Sequence, residues 1–121
     1  MIGKKTLVLG ASKNPSRYSY LAINKLVANH HPVVAVGLKE GNVASIDIVK
    51  GQPILEDIDT VTLYLNPTNQ QPYYDYIIAL NPKRIIFNPG TENEELEMLA
   101  QQHGIQTMEA CTLVLLSIGQ Y

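Results

Sequence analysis

Short apolar runs alternate along this chain with stretches in which apolar positions recur every three or four residues. The runs are "TLVLG" (residues 6–10), "VVAVG" (33–37), "VTLYL" (61–65), "RIIFN" (84–88) and "IQTMEA" (105–110). Apolar or β-branched through most of their length, they predict strands, the first of them buried on both faces. Between them the period changes to that of a helix. From about Ser19, residues Ile23, Leu26 and Val27 share a face, and "NHHP" closes the helix because Pro32 disfavours helical geometry at His31. Tyr73, Ile77 and Leu80 mark a second face, closed by Asn81-Pro82. In "TENEELEMLAQQHG", Thr91 and Glu94 stand at capping-box spacing, Leu96, Leu99, Ala100 and His103 form the inner face, and Gly104 supplies the stop. A last apolar helix begins at about Leu113.

This β-α-β alternation predicts an α/β protein, Rossmann-like and doubly wound, with a mostly parallel five-stranded sheet and helices on both faces. Residues 1–121 read as one domain, without repeats, low-complexity tracts or a linker. Residues 39–59 fit the scheme least. No full helix pattern connects the second and third strands, and "SIDIV" reads either as a short extra strand or as part of a loop.

Composition leaves this picture intact: 121 residues, 45% hydrophobic and 17% charged, describe an ordinary globular chain. The apolar runs are too short to span a bilayer, and the lysines before the first run lack the long apolar region and cleavage site of a secretion signal. With Cys111 as the only cysteine, no internal disulfide can form, and a cytoplasmic location is expected. Charge adds more. Residues 1–39 hold Lys4, Lys5, Lys13, Arg17, Lys25 and Lys39 and no Asp or Glu, whereas all 11 acidic residues follow. The basic residues do not form a stripe interleaved with aromatics, which argues against nucleic acid. The scattered His and Cys residues lack the spacing of metal ligands.

In a doubly wound sheet, ligands bind outside the carboxyl ends of the strands. The segments after the five runs are "GASKNPSRYS", "GLKEG", "NPTNQ", "NPGTEN" and "EACT". In the first, Gly10, Ala11 and Ser12 let the backbone approach a phosphate, the following helix offers free N–H groups, and Lys13 and Arg17 add charge. The loop is neither GxGxxG nor a Walker sequence, which disfavours ATP hydrolysis by a P-loop. After the second run stands Lys39, with Glu40 next to it. An NAD site would place a carboxylate there, whereas a lysine suits a phosphate on the ribose, as in coenzyme A or NADP. Tyr18 is the tyrosine best placed to stack on an adenine.

The features "VLGAS" with Asn14, "SRYSYLA", Lys39 after the second strand, "NP" after the third, "FNPGTENEE" after the fourth and Cys111 after the fifth are together similar to one family. The chain resembles the small CoA-binding proteins related to the N-terminal, CoA-binding domain of the succinyl-CoA synthetase α subunit. The likeness spans nearly the whole chain. It implies that Gly10, Ala11, Ser12, Asn14, Arg17 and Ser19 hold the CoA pyrophosphate and that Lys39 lies near the adenosine 3′-phosphate. By the same resemblance Asn66, Pro67 and Thr68 border the adenine or the start of the pantetheine arm, and Pro89, Gly90 and Asn93 line the arm's path. The chain departs from the family's pattern after the second strand, where "VGLKEGNVASIDIVKGQP" replaces an "NP" turn, and after the fourth, which ends in "FNP".

The synthetase uses a phosphorylated histidine in a second domain, for which these residues offer no counterpart. His30 and His31 stand at a helix end before Pro32, and His103 before Gly104, where capping or packing is the ordinary role. No catalytic residue is assigned. Cys111 would ordinarily be a small buried hydrophobe, yet it stands at a strand's carboxyl end, where the CoA thiol could reach it and form a mixed disulfide on oxidation. The expectation is a module that binds coenzyme A or an acyl-CoA rather than a complete enzyme, with an NADP-dependent oxidoreductase as the alternative. Neither nucleic acid nor membrane is expected as a partner, and homodimerisation is left open.

Overall fold

The computed structural model describes residues 3–121. In chain order the elements are β1 (Thr6–Leu9), α1 (Tyr18–Ala28), β2 (Val33–Val36), β3 (Gly41–Val43), β4 (Ile46–Val49), β5 (Thr60–Leu63) and α2 (Pro67–Gln70). A single 3-10 turn at Gln71–Tyr73 leads into α3 (Tyr74–Leu80), followed by β6 (Arg84–Phe87), α4 (Glu94–Gln102), β7 (Gln106–Glu109) and α5 (Thr112–Ser117). The strands form one sheet in the order β3-β4-β2-β1-β5-β6-β7. All neighbours run parallel except β3 and β4.

The alternation of side chains along β1 explains the layers. Leu7 and Leu9 pack with Val61, Leu63, Ile77, Ile85, Phe87, Leu96 and Ala100 on the face covered by α3 and α4. Val8, between them, points the other way and packs with Ile23, Leu26, Ala35, Ile48 and Leu116 under α1 and α5. Both faces of the central strands are therefore dry, which is why they read as unbroken apolar runs.

The sheet has seven strands, not five. The extra pair is the β3–β4 hairpin, whose second strand is the "SIDIV" segment and pairs parallel to β2. Val43 faces Ile46, so only Ala44 and Ser45 make the turn, both at positive φ (51° and 67°). Such turns match the twist of a hairpin but favour Asn and Gly, and neither is present here to mark the turn in the sequence. Residues 50–59 then return to β5 without regular structure.

Two helix details also differ from expectation. The N-cap of α4 is Asn93, whose Oδ1 accepts from the N–H groups of Glu95 and Leu96. Thr91 instead donates its hydroxyl to the Asn88 carbonyl. His103 is the C-cap of α4 and is exposed, because the helix ends at Gln102 before its ring could turn inward. At the end of α1, His30 takes positive φ (64°), and His31 accepts from the Lys4 N–H through Nδ1. No helix of the described residues is long and apolar enough to cross a membrane.

Candidate functional site

The chain leaves β1 toward α1 and β2 on one side, then returns to β5 on the other. The point where the order reverses lies between the carboxyl ends of β1 and β5, the usual place for a ligand in such sheets. Gly10 stands there. Its φ is +96°, and a Cβ on it would approach the Tyr64 backbone carbon to 2.9 Å. Only glycine combines that conformation with that contact. The N–H groups of Gly10 and Ala11 both reach the Val36 carbonyl at 2.9 Å, which fixes the start of the loop on β2.

The rest of the loop is shaped by its own side chains. Ser12 Oγ accepts from the Asn14 N–H, and Asn14 Oδ1 accepts from the N–H and hydroxyl of Ser16. The Arg17 N–H donates to the Asn14 carbonyl at 3.0 Å. Asn14 thus acts as the organiser of the turn that delivers the chain into α1. Arg17 is the N-cap of α1 in extended geometry, and among the described residues no side chain caps that end. The Tyr20 N–H already donates to the Arg17 carbonyl, so it is the N–H groups of Tyr18 and Ser19 that face the loop, where they and the helix dipole favour an anion. Lys13, Arg17 and Tyr18 are exposed around it, while Ser19 is buried beneath.

Lys39 follows β2 at the same edge of the sheet. The Lys13 stem lies over Gly41, two residues further on, where a Cβ would come within 2.9 Å of Lys13 Cδ. The hairpin therefore bears on the first loop and sets the path of one of its two cations. Beyond β5, Asn66 caps α2 by accepting from the Asn69 N–H at 2.9 Å, and Asn66, Pro67 and Thr68 are exposed. Pro89 and exposed Gly90, the latter at φ +92°, follow β6. Cys111 follows β7, half-buried, just before α5. The sheet thus gathers all the residues proposed from sequence along one edge.

Asn93 differs from the others. Its Nδ2 donates to Gln70 Oε1 and to the Tyr74 hydroxyl, both at 2.8 Å, and its Oδ1 caps α4. With its amide fully engaged, it acts on the edge by fixing α4. Its partner Gln70 is wholly buried and donates to the carbonyls of Leu65 and Thr91, tying the loops after β5 and β6 together. Burial moves the Tyr74 phenol to higher pKa, with the Asn93 hydrogen bond opposing it.

A second buried amide joins the next pair of loops. Asn88 Nδ2 donates to Thr62 Oγ1 at 2.7 Å and to the Leu63 carbonyl at 2.9 Å, and its Oδ1 accepts from the Thr112 N–H at 2.9 Å. The hydroxyls of Thr62 and Thr112 bond each other at 2.8 Å. Among the described residues the buried Tyr64 hydroxyl beside them has no partner, and burial pushes its pKa up to about 12. Gln70 and Asn88 were not singled out from sequence. The one sequence signal for them was position, an amide within or just before a loop at a strand's carboxyl end.

A mostly parallel sheet with helices on both faces and a glycine-hinged loop at its switch point defines a Rossmann-like α/β protein. The chain belongs to the CoA binding domain family, which it matches over residues 4–117. The resemblance seen in the sequence, to small CoA-binding proteins of the succinyl-CoA synthetase type, is borne out at that level. A crystal structure of an uncharacterized protein is similar at 50% identity over the whole of both chains, with a TM-score of 0.96. A Thermus thermophilus protein, cell-free ID.343, shares the fold at 20% identity (TM-score 0.86, covering 98% of this chain and 91% of that one). So does a hypothetical protein from Pyrococcus horikoshii OT3, at 24% identity (TM-score 0.83, covering 93% and 80%). No curated protein matches the chain.

Proposed function

We propose that this chain binds coenzyme A or an acyl-CoA as a stand-alone binding or regulatory module, in the cytoplasm. The observation that carries the reading is the uncapped start of α1 beneath a glycine-hinged loop bearing Lys13 and Arg17. A pyrophosphate there meets helix N–H groups and two cations, and charge-assisted hydrogen bonds of this kind contribute about 1.5–3 kcal/mol each. Gly10, Ala11, Ser12, Asn14 and Ser19 shape the cradle. Lys39 takes the ribose 3′-phosphate, and Tyr18 with Asn66, Pro67 and Thr68 borders the adenine. The pantetheine arm then passes Pro89 and Gly90, with Asn93 fixing the helix behind them, toward Cys111.

A second reading, NADP binding, draws on the same lysine, because a 2′-phosphate asks for the same charge. Thermal-shift titrations separate the two, since a ligand that binds only the folded state raises its stability. CoA and acetyl-CoA should stabilise the protein, dephospho-CoA less, and NAD not at all. Lys39→Gln should narrow the gap between CoA and dephospho-CoA. A response to NADP alone would put the oxidoreductase first. Acetyl-CoA recovered intact after long incubation is the result expected of a binding module, and its turnover would replace that part of the reading.

A further inference from the structure

At the opposite edge of the sheet, where the strands begin, the register sets Thr6, Thr60 and Arg84 side by side on β1, β5 and β6. Arg84 is 8% exposed. Its Nε donates to Thr60 Oγ1 at 2.7 Å, and that hydroxyl donates on to Asp59 Oδ1 at 2.8 Å. The Tyr121 ring covers the guanidinium, with its centroid 4.3 Å from Cζ, and the Tyr121 hydroxyl is held by Thr6 Oγ1. Lys4 lies beside the same ring and donates to the Tyr121 backbone oxygen. Among the described residues Nη2 of Arg84 is buried and has no acceptor. The one ion pair among them joins Lys83 to Asp59 at 4.0 Å, so Arg84 has no carboxylate of its own.

A guanidinium stays charged throughout the accessible pH range, and a buried charge requires a counter-charge or a full set of acceptors. Arg84 has neither, and Lys4 and His31 beside it supply no negative charge. The Asp59 carboxylate is linked to the Arg84 guanidinium through the Thr60 hydroxyl, and Asp59 otherwise meets Arg84 through its main-chain carbonyl. The group that would complete the site is therefore an acceptor carrying negative charge and small enough to fit under one tyrosine ring.

We propose that Arg84, beneath Tyr121, is the anchor of a small-oxyanion site at the amino edge of the sheet, separate from the nucleotide edge. The oxyanion accepts from Nη2, with Tyr121 as its cover. Gly119, at φ +70°, follows the end of α5, and the Gln120 N–H donates to the Leu115 carbonyl at 2.8 Å, which brings Tyr121 back over Arg84. The site does not depend on the CoA reading, because no residue of the first loop takes part.

The test is titration with inorganic phosphate, at ionic strength matched with chloride, followed by phosphorus NMR. Wild type and a Lys13→Gln/Arg17→Gln double variant should both bind phosphate saturably, whereas Arg84→Lys should weaken binding about tenfold or more, since a point charge replaces the planar fork. Arg84→Lys keeps a cation over Thr60, and its circular dichroism and urea midpoint show whether the fold is retained. Should it fail to fold, Tyr121→Ala serves instead, and faster phosphate exchange is then expected. Loss of binding in the double variant with Arg84→Lys unaffected would overturn the proposal, as would no saturable binding to any of the proteins. A crystal structure in phosphate with only a water on Nη2 would do the same.

Discussion

Gly37, just after β2, faces the carbonyl oxygen of Ala11 so closely that a Cβ on it would stand 2.2 Å away. The loops that follow β1 and β2 thus touch backbone to backbone. No side chain at 37 can give way, because the atom it would strike belongs to the main chain. Gly37→Ala should destabilise the fold by about 1–3 kcal/mol and displace the loop that begins at Gly10. Urea midpoints measure the first effect, and CoA titration of the folded fraction measures the second. Unchanged CoA affinity would show that the cradle tolerates the displacement.

The Asn88 side chain reaches both β5 and the start of α5. Asn88→Ala leaves the Leu63 carbonyl and the Thr112 N–H unpaired in a dry interior. A cost of about 3 kcal/mol is expected, read as a lower urea midpoint at unchanged slope. Asn88→Asp should recover little, because a carboxylate cannot donate to the Leu63 carbonyl.

The β3–β4 turn offers a gain in stability. Ala44 and Ser45 both sit at positive φ, which disfavours residues carrying a Cβ. Replacing the pair by Asn-Gly should stabilise the protein by about 1 kcal/mol, measured as a rise in Tm. No gain in the double variant would mean that the turn's contacts with its surroundings outweigh its backbone preference.

His31 gives stability a pH dependence. Burial, reinforced by Lys4 and Arg84, holds its pKa below 6.5, while Asp59 opposes the shift. The unfolded chain therefore takes up the proton first. The stability that His31 contributes is complete above pH 6.5 and is lost as pH falls below it toward the depressed folded value. His31→Asn keeps an acceptor for the Lys4 N–H and removes the titration. Between neutral and mildly acidic pH, its urea midpoint should fall less than that of wild type. Parallel curves for the two proteins would remove His31 from the account.

Sequence alone determined the core and the loops at the carboxyl ends of the strands. Leu7, Val8 and Leu9 are apolar in succession because both faces of β1 are covered, and that is a local property. The glycine after β1 and the cations beyond it are equally local, since a turn and a helix start are built from neighbouring residues. The resemblance to a family added the order of those loops. Tertiary structure decided the rest. The turn at Ala44-Ser45 carries no turn signal, so β3 and β4 exist because Val43 and Ile48 find a dry face beside β2. The resemblance places Asn93 on the arm's path, and only the fold shows that Gln70 and Tyr74 engage its amide. Arg84 read as the polar start of a strand, yet its surroundings come from Thr60, 24 residues away in sequence, and from a ring at Tyr121. Periodicity reports what a residue's neighbours in sequence do. Which distant group meets a buried amide or guanidinium depends on strand order and register, and these are fixed only when the whole sheet assembles.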